Sequence, residues 1–406
     1  MGVVSDGTTV IDNGAVNGVL SWQSVQTTGF TAVSGRAYPC NTTSAAFTVT
    51  LPTSPSAGDQ IQLVDYAGTF SSNNLTIDPN GNNIQSQGSN AIVNKANEGL
   101  TLTYVDATSG WLITSAANEG TGAISLPYSA DILVIGGGGG GSHGGGGAGG
   151  YRTSTENLTA GSVYTITVGD GGASTSNTNV QGNSGSNSSI SGTGVSITSA
   201  GGGTGGGRSD TVGVHTGASG GSGGGGGADQ TGTGVACPGG SGNTPSTAPS
   251  QGNNGGSGAH VSGAYTATGG GGGAGAVGSS NSGSTAGAGG NGSASSITGS
   301  SVTRAGGGGG HGGSGGAPGG TGGGGAGAGG GTSNGVAGTA NTGGGGGGAD
   351  SNSGTPNNVS GAGGKGVVIL SVPTANYSGT TTGSPTVTTS GSNTIMQFNG
   401  SGSYTA

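Results

Sequence analysis

The sequence predicts an all-β protein: a small amino-terminal β-domain, then a β-sandwich into which a bundle of polyglycine-II helices is inserted, with little or no α-helix. Three observations predict this. Of the 109 glycines, 89 lie within residues 136–364. Short runs of β-branched residues separated by turn residues occur both before and within that stretch. The stretch contains one leucine, Leu158, and no Phe, Trp or Met, so side chains alone cannot supply its core.

Residues 1–118 are predicted to form a small β-rich domain, which has few large side chains and is therefore suited to oligomerisation. Strands are predicted at residues 29–33, 46–51, 60–64, 75–77, 100–105 and 111–114. The Asp-Pro-Asn-Gly sequence at residues 78–81 is typical of a turn. The larger apolar side chains available for one modest core are Leu20, Trp22, Phe30, Phe47, Leu63, Leu75, Ile77, Ile84, Leu102 and Trp111. Residues 119–130 are expected to be a linker.

Two outcomes are open for the glycine-rich stretch. It stays disordered if the burial of apolar surface does not offset the conformational entropy that glycine loses on folding. Alternatively, its runs form left-handed helices with three residues per turn, whose outward-pointing N–H and C=O groups bond to neighbouring helices. Order is favoured because strand patterns border the glycine runs, at residues 131–135, 162–168, 189–197, 295–302 and 366–372. A collagen helix is disfavoured because the sequence has no Gly-X-Y repeat and only 12 prolines. The predicted sandwich therefore spans residues 131–372.

Residues 373–406 return to ordinary composition and predict a carboxy-terminal β-hairpin segment. Strands are expected at residues 385–389, 394–398 and 403–406. We expect the last strand to complete the same sheet as residues 131–135, with Tyr404 near Ile132.

Charge and cysteine content exclude several classes of partner. The net charge is −8, only 5% of residues are charged, and the six cations are scattered, so no basic surface for nucleic acid or anionic lipid is expected. No run of about 20 apolar residues suits membrane insertion, and the amino end lacks the features of a secretory signal. Cys40 and Cys237 are expected to be unpaired thiols.

The sequence gives no reason to expect an enzyme, a cofactor or a metal site. Gly-x-Gly-x-x-Gly is uninformative where glycine is so frequent, and Gly-Lys-Gly at residues 364–366 does not match a phosphate loop. No pair of carboxylates or Ser/His/Asp set can be singled out. The histidines lack the spacing of a metal motif; they are His143, His215, His260 and His311.

Residues 28–114 resemble a small β-domain of tailed-bacteriophage virion proteins. The shared motifs are LPTSPSAGD, VDYAGTF, LTIDPNGNNI and YVDATSGW, in the same order and spacing. The resemblance implies attachment to other virion proteins or assembly of a fibre, as a homotrimer. It also implies a location in the virion, on a tail fibre or the capsid surface, after assembly in the host cytoplasm.

The glycine-rich stretch resembles glycine-rich domains of phage and bacterial surface proteins. The shared features are DILVIGGGGGG, YTITVG and GVVIL, with glycine runs between them. It is similar to the glycine-rich ectodomain of the anaplastic lymphoma kinase family and to adhesins of T-even phage long tail fibres. In those adhesins, loops between the glycine helices bind host receptors, and the resemblance implies the same role for the loops of this chain.

These observations predict a structural protein of a bacteriophage tail fibre or virion fibre that recognises a host-surface glycan or protein through loops. A head-decorating fibre with weak adhesion, an ice-binding protein and a tailspike depolymerase are the alternatives. Aromatic, Arg and His side chains are typical anchors of contact surfaces. The candidate receptor contacts are Tyr151, Arg152, Arg208, His215, His260, Tyr265 and His311.

Overall fold

The computed structural model describes residues 19–117, 124–211, 213–229, 231, 235–259, 267–330, 333–350 and 358–406, together with three short strands before residue 19. The chain divides into two compact units. The first comprises Met1–Tyr128 with Thr159–Gly161, and the second Ser129–Leu158 with Ser162–Ala406. The all-β prediction is confirmed: within the described ranges the only helical element is a 3-10 turn, Thr374–Asn376.

The first unit contains a three-, a four- and a five-stranded sheet. Its strands are β1 Val3–Ser5, β2 Thr8–Asp12, β3 Ala15–Val16, β4 Ser21–Trp22, β5 Phe30–Thr31, β6 Arg36–Cys40, β7 Phe47–Thr50, β8 Gln60–Asp65, β9 Leu75–Asp78, β10 Ala91–Val93, β11 Gly99–Asp106 and β12 Gly110–Ala116. The sheet orders are β1-β2-β3, β10-β9-β7-β5 and β12-β11-β8-β6-β4. From β4 to β9 the chain alternates between the two larger sheets, so neighbours within each run parallel.

The core of the first unit contains most of the predicted apolar residues. Leu63, Leu75 and Trp111 are fully buried in one cluster. Leu20 and Trp22 are the exceptions: Leu20 is half-buried outside the cluster, and Trp22 has 61% of its surface exposed. Trp22 lies in β4, the edge strand of its sheet as described. Within the described part of the predicted linker, Ile124 and Leu126 pack against this core.

The second unit contains two five-stranded sheets and a small hairpin. Its strands are β13 Tyr128–Ile135, β14 Tyr151–Leu158, β15 Val163–Thr167, β16 Ser188–Gly192, β17 Val195–Ser199, β18 Ser293–Ser295, β19 Val302–Arg304, β20 Val367–Pro373, β21 Thr381–Thr382, β22 Thr386–Ser390, β23 Asn393–Phe398 and β24 Gly402–Thr405. The sheet orders are β14-β13-β20-β23-β22 and β17-β16-β15-β24-β21, and β18 pairs with β19.

Two expectations for this unit need correction. Residues 151–158 form β14, where the sequence predicted no strand. The carboxy-terminal segment is divided between the sheets: β23 lies beside β20 in the sheet of β13, whereas β24 pairs with β15 in the other sheet. Tyr404 therefore lies opposite Tyr164 and not in the sheet of Ile132. Its ring is fully buried, and the alternation along β24 directs it into the core.

The glycine run 136–141 continues β13 and donates hydrogen bonds in a repeat of three. Its N–H groups turn by about one third of a circle per residue, as in a polyproline-II-type helix. Every third N–H therefore faces the same antiparallel neighbour. The six bonds are 2.8–3.0 Å long and run from Gly136 to Gly150, Gly137 to Ser186, Gly138 to Gly364, Gly139 to Gly147, Gly140 to Asn183 and Gly141 to Gly361.

Carbonyl groups of the same run accept from three parallel neighbours. The successive carbonyls of Gly137, Gly138 and Gly139 accept from the N–H groups of Gly202, Gly172 and Gly346, respectively, at 2.8–2.9 Å. The run is thus surrounded by six segments, three antiparallel and three parallel. This hydrogen-bonded lattice supplies the cohesion that the missing apolar side chains cannot.

Only glycine fits at these positions because the backbones nearly touch. A Cβ added to Gly138 would lie 2.0 Å from the carbonyl oxygen of Gly344. One added to Gly139 would lie 2.2 Å from that of Gly203. Carbon–oxygen contacts in proteins are about 1 Å longer.

Strands anchor the lattice at one end. β13, β15 and β17 lead into glycine segments, and glycine segments lead back into β14, β16 and β20. The register of the sheet, with Asp131 opposite Ser371 and Ile135 opposite Val367, carries directly into the antiparallel helix pair formed by residues 136–141 and 361–364.

Candidate functional site

Titratable side chains follow three glycine runs of the second unit. His143 comes after run 136–141, His311 after run 306–310, and Asp350 after run 343–348. These runs are parallel: Gly345 and Gly348 donate to Gly306 and Gly309, and Gly346 and Ala349 donate to Gly139 and Ser142. Because they end at the same level of the lattice, the three side chains meet.

The three side chains form a compact, buried cluster. His143 Nε2 lies 3.7 Å from Asp350 Oδ1, and His311 Nε2 lies 3.9 Å from Asp350 Oδ2. The imidazole rings stack with their centroids 4.9 Å apart. Both histidines are buried, and only 12% of the Asp350 side chain is exposed. The three candidate ligand atoms all lie within 4.8 Å of one another.

The two rings differ in their hydrogen bonds. His311 Nδ1 lies 2.9 Å from the carbonyl oxygen of Ala328. A carbonyl oxygen can only accept, so Nδ1 carries the proton and the neutral ring presents a lone pair at Nε2. Neither ring nitrogen of His143 has a hydrogen-bond partner in the part of the chain that the structure describes.

Both rings favour the neutral form. Burial lowers the pKa of His143 well below its usual value, and His311 and Arg208 lower it further. Burial also lowers the pKa of His311, although Asp350 opposes the shift. At neutral pH the cluster therefore combines two neutral imidazoles with a carboxyl group, a donor set suited to a cation.

Arg208 borders the cluster and follows another glycine segment, residues 205–207. Its Nη1 lies 3.9 Å from Asp350 Oδ1. At that separation the guanidinium attracts the carboxylate without making a hydrogen bond. It is one of the predicted contact residues, and its side chain is 23% exposed.

The other predicted contact residues are in different places. Tyr151 and Arg152 lie in β14, where Tyr151 packs against a buried cluster and Arg152 Nη1 donates to the carbonyl of Thr198 at 3.1 Å. His215 and His311 are only 2% and 1% exposed. In this conformation their rings offer no contact area to a partner.

The remaining two, His260 and Tyr265, lie outside the described residues. The structure brings Arg208 and His311 together, whereas Tyr151 and Arg152 belong to the strand region.

Two members of the cluster, His143 and Asp350, were missed as site residues. Their common feature is visible in the sequence: GGGGGGSH, GGGGGH and GGGGGGAD each place a metal-ligating type of side chain at the end of a glycine run. Which runs are parallel neighbours is not visible there, because the runs are chemically alike.

A shallow polar groove of about 580 Å³ lies at the strand end of the second unit. It is lined by Asp131, residues 153–155 and residues 295–297. The Thr155 hydroxyl donates to Asp131 Oδ1 at 2.7 Å. The lining offers hydroxyl and carboxyl groups for hydrogen bonding.

Comparison with known proteins gives one family match. A family model described as a glycine-rich domain matches residues 114–373, which is more than half of the chain. No curated protein matches the chain. In the described ranges, no helix has the length and apolar character needed to cross a membrane.

Proposed function

Because this chain belongs to the glycine-rich domain family, we propose that it is a non-enzymatic structural protein of a bacteriophage tail fibre or virion fibre. Its glycine lattice displays loops that bind a host-surface glycan. The phage setting is supported by the motifs of residues 28–114. The display role is supported by the lattice, because recognition commonly resides in loops that a rigid scaffold positions.

Two neighbouring loops carry the recognition proposal. They are residues 174–182 and the described residues 208–211 and 213–216, at the end of the lattice opposite to the strands. Gln181 Nε2 donates to the carbonyls of Gly213 and Thr216 at 2.7 and 2.8 Å. The Arg208 N–H donates to the carbonyl of Thr178 at 2.8 Å. These bonds join the loops into one preorganised surface, which lowers the entropy cost of binding.

The exposed side chains of this surface suit a carbohydrate. Asn177, Asn179, Asp210 and Thr211 are exposed and offer amide, carboxyl and hydroxyl groups. Such groups hydrogen-bond readily to sugar hydroxyls, which are both donors and acceptors. Arg208 adds a cation at the edge, which would favour an acidic sugar.

The first unit is the proposed attachment and trimerisation domain. Trp22, Val19 and Tyr66 are 61%, 65% and 59% exposed, so their side chains are available for contact with another copy of the chain. Trp22 also lies in an edge strand, a common place for pairing with another chain. Sedimentation equilibrium of the intact chain tests this: we expect three copies for the wild type and fewer for Trp22→Ser. A monomeric wild type would contradict the trimer.

Localisation and binding experiments test the function. Antibody labelling of virions should place the protein on tail fibres; labelling on the capsid would instead support the head-decorating fibre. Binding of the intact chain to a panel of bacterial surface polysaccharides should detect at least one ligand.

The triple variant Asn179→Ala/Asp210→Ala/Thr211→Ala should weaken that binding at least about tenfold, the effect of losing one or two hydrogen bonds. The matched control, Thr386→Ala/Thr388→Ala/Thr389→Ala, changes exposed residues of β22 and should bind like the wild type. Equal binding by all three proteins would contradict the loop assignment. Shortened polysaccharide chains after incubation would support the depolymerase alternative.

A further inference from the structure

Among the described residues, the fully buried imidazole of His143 has no hydrogen-bond partner at either nitrogen. Leaving a buried polar group unpaired is unfavourable, and native proteins rarely do so without a functional reason. Its Nε2 points towards Asp350, at 3.7 Å from Oδ1, which is too long for a hydrogen bond. A ligand between the two atoms would satisfy both.

His311 also directs a ring nitrogen towards the Asp350 carboxyl group, at its other oxygen. Its proton is on Nδ1, held by the carbonyl of Ala328, so a lone pair at Nε2 faces Asp350 Oδ2 across 3.9 Å. No hydrogen lies between them in the neutral ring. A histidine that donates one N–H to a backbone carbonyl and directs its other nitrogen to a shared centre is the arrangement found around protein-bound metals.

We propose that His143, His311 and Asp350 bind one transition-metal dication of the zinc class, which joins the ends of three parallel glycine helices. Two imidazole nitrogens and one carboxylate oxygen are donors that Zn²⁺ accepts. With bonds of about 2.0–2.1 Å in tetrahedral geometry, ligand atoms lie about 3.3–3.5 Å apart. The three ligand atoms, one from each residue, lie within 4.8 Å of one another, so the side chains must approach one another by up to about 1.5 Å to hold one ion.

The supporting backbone is already fixed. The N–H of Thr268 donates to the carbonyl of His311 at 3.0 Å, and its hydroxyl lies 2.9 Å from the carbonyl oxygen of His143. The Asn358 amide donates to the Asp350 carbonyl at 2.7 Å. The three side chains leave the fourth tetrahedral position to a water molecule. Because both histidines are buried and Asp350 is only 12% exposed, we assign the metal a structural role.

Arg208 opposes the metal and provides a diagnostic variant. Its guanidinium lies 3.9 Å from Asp350 Oδ1 and competes for the carboxylate. Like charges at short range in a poorly solvated site repel strongly. Arg208→Gln should therefore tighten metal binding by at least about tenfold. A folding defect cannot produce such a gain.

The test uses the intact chain, stripped with a chelator and titrated with Zn²⁺ by calorimetry. Co²⁺ then serves as a spectroscopic probe of tetrahedral coordination. We expect one equivalent to bind. His311→Gln and Asp350→Asn should weaken binding by more than the about 10–100-fold that loss of an outer hydrogen-bond partner costs. His215→Gln is the matched control, because it changes another buried histidine of the same unit, whose Nδ1 lies 3.0 Å from the carbonyl oxygen of Ser209.

Amide hydrogen exchange of residues 136–150 checks that each variant keeps the lattice. Stoichiometric binding that His311→Gln loses and His215→Gln retains supports the site. Two results would overturn it: no stoichiometric uptake of Zn²⁺ or Co²⁺ by the stripped wild type, or equal affinities in the wild type, His311→Gln and Arg208→Gln.

Discussion

Replacing Gly139 with alanine tests whether the second unit is held together by close backbone contacts. The added Cβ would lie 2.2 Å from the carbonyl oxygen of Gly203. To reach an ordinary contact, the two segments must separate by about 1 Å. This separation lengthens two hydrogen bonds between them, from Gly202 to Gly137 at 2.8 Å and from Gly205 to Gly140 at 3.1 Å, beyond hydrogen-bonding range.

The expected loss of stability follows from these terms. Overpacking costs about 1–3 kcal/mol, and each of the two weakened hydrogen bonds about 1 kcal/mol. Together Gly139→Ala should lower the free energy of unfolding of the second unit by about 3–5 kcal/mol. Amide hydrogen exchange of peptides within residues 131–150 measures this directly, since a loss of about 3 kcal/mol accelerates exchange more than a hundredfold.

Gly315→Ala is the matched control within the same unit. Gly315 is exposed, and a Cβ added there would meet no atom within 4 Å. Alanine at such a position stabilises by about 0.4–1 kcal/mol, because it restricts the unfolded chain. Unchanged protection of residues 131–150 in Gly139→Ala, or equal changes in both variants, would refute the close-packed lattice.

Three further predictions concern buried groups. Burial raises the pKa of Cys40 from 9.0 to about 12 and that of Cys237 to about 11; thiolate is therefore scarce in the folded state at pH 8, and a thiol reagent should label both residues only after denaturation. Trp111→Ala should destabilise the first unit by about 3–5 kcal/mol, measured by urea unfolding, because Trp111 is fully buried. Asp65→Ala should cost about 3 kcal/mol or more in the same assay, because its carboxylate accepts three backbone N–H bonds of 3.0–3.1 Å that would lose their acceptor; a loss below 1 kcal/mol would contradict this estimate.

Local patterns in the sequence were sufficient to predict most of the strands. β13 and β20 are runs of β-branched and aliphatic residues next to glycine, and both formed where expected. β14 was missed because YRTSTENL has large apolar side chains only at its ends, Tyr151 and Leu158. Its strand conformation comes from tertiary pairing beside β13, which local preference does not encode.

Predicting the candidate site requires knowing which glycine runs are neighbours, and the sequence does not carry that information. Each ligand follows a glycine run, but so do Arg208 and Asp229, and nothing in a glycine run specifies its neighbours. The choice of neighbours is made by the strands at the other end of the lattice. For the same reason, Asp229 could not be distinguished from Asp350 by sequence, although only Asp350 joins the cluster.

The lattice has a register problem that the cluster helps to solve. Because its backbone bonds repeat every three residues, a glycine run that slips by three residues keeps nearly all of them. Such a slip moves the end of the run by about 9 Å, three residues at about 3.1 Å each. Strand pairing opposes it for run 136–141, which continues β13, and for run 306–310, which follows β19; among the described residues, run 343–348 borders no strand. For run 343–348, a slip would separate Asp350 from His143 and His311, so contacts at the far end must select the register. A metal ion bound by all three side chains would strengthen this selection, and its removal should loosen run 343–348 before runs 136–141 and 306–310.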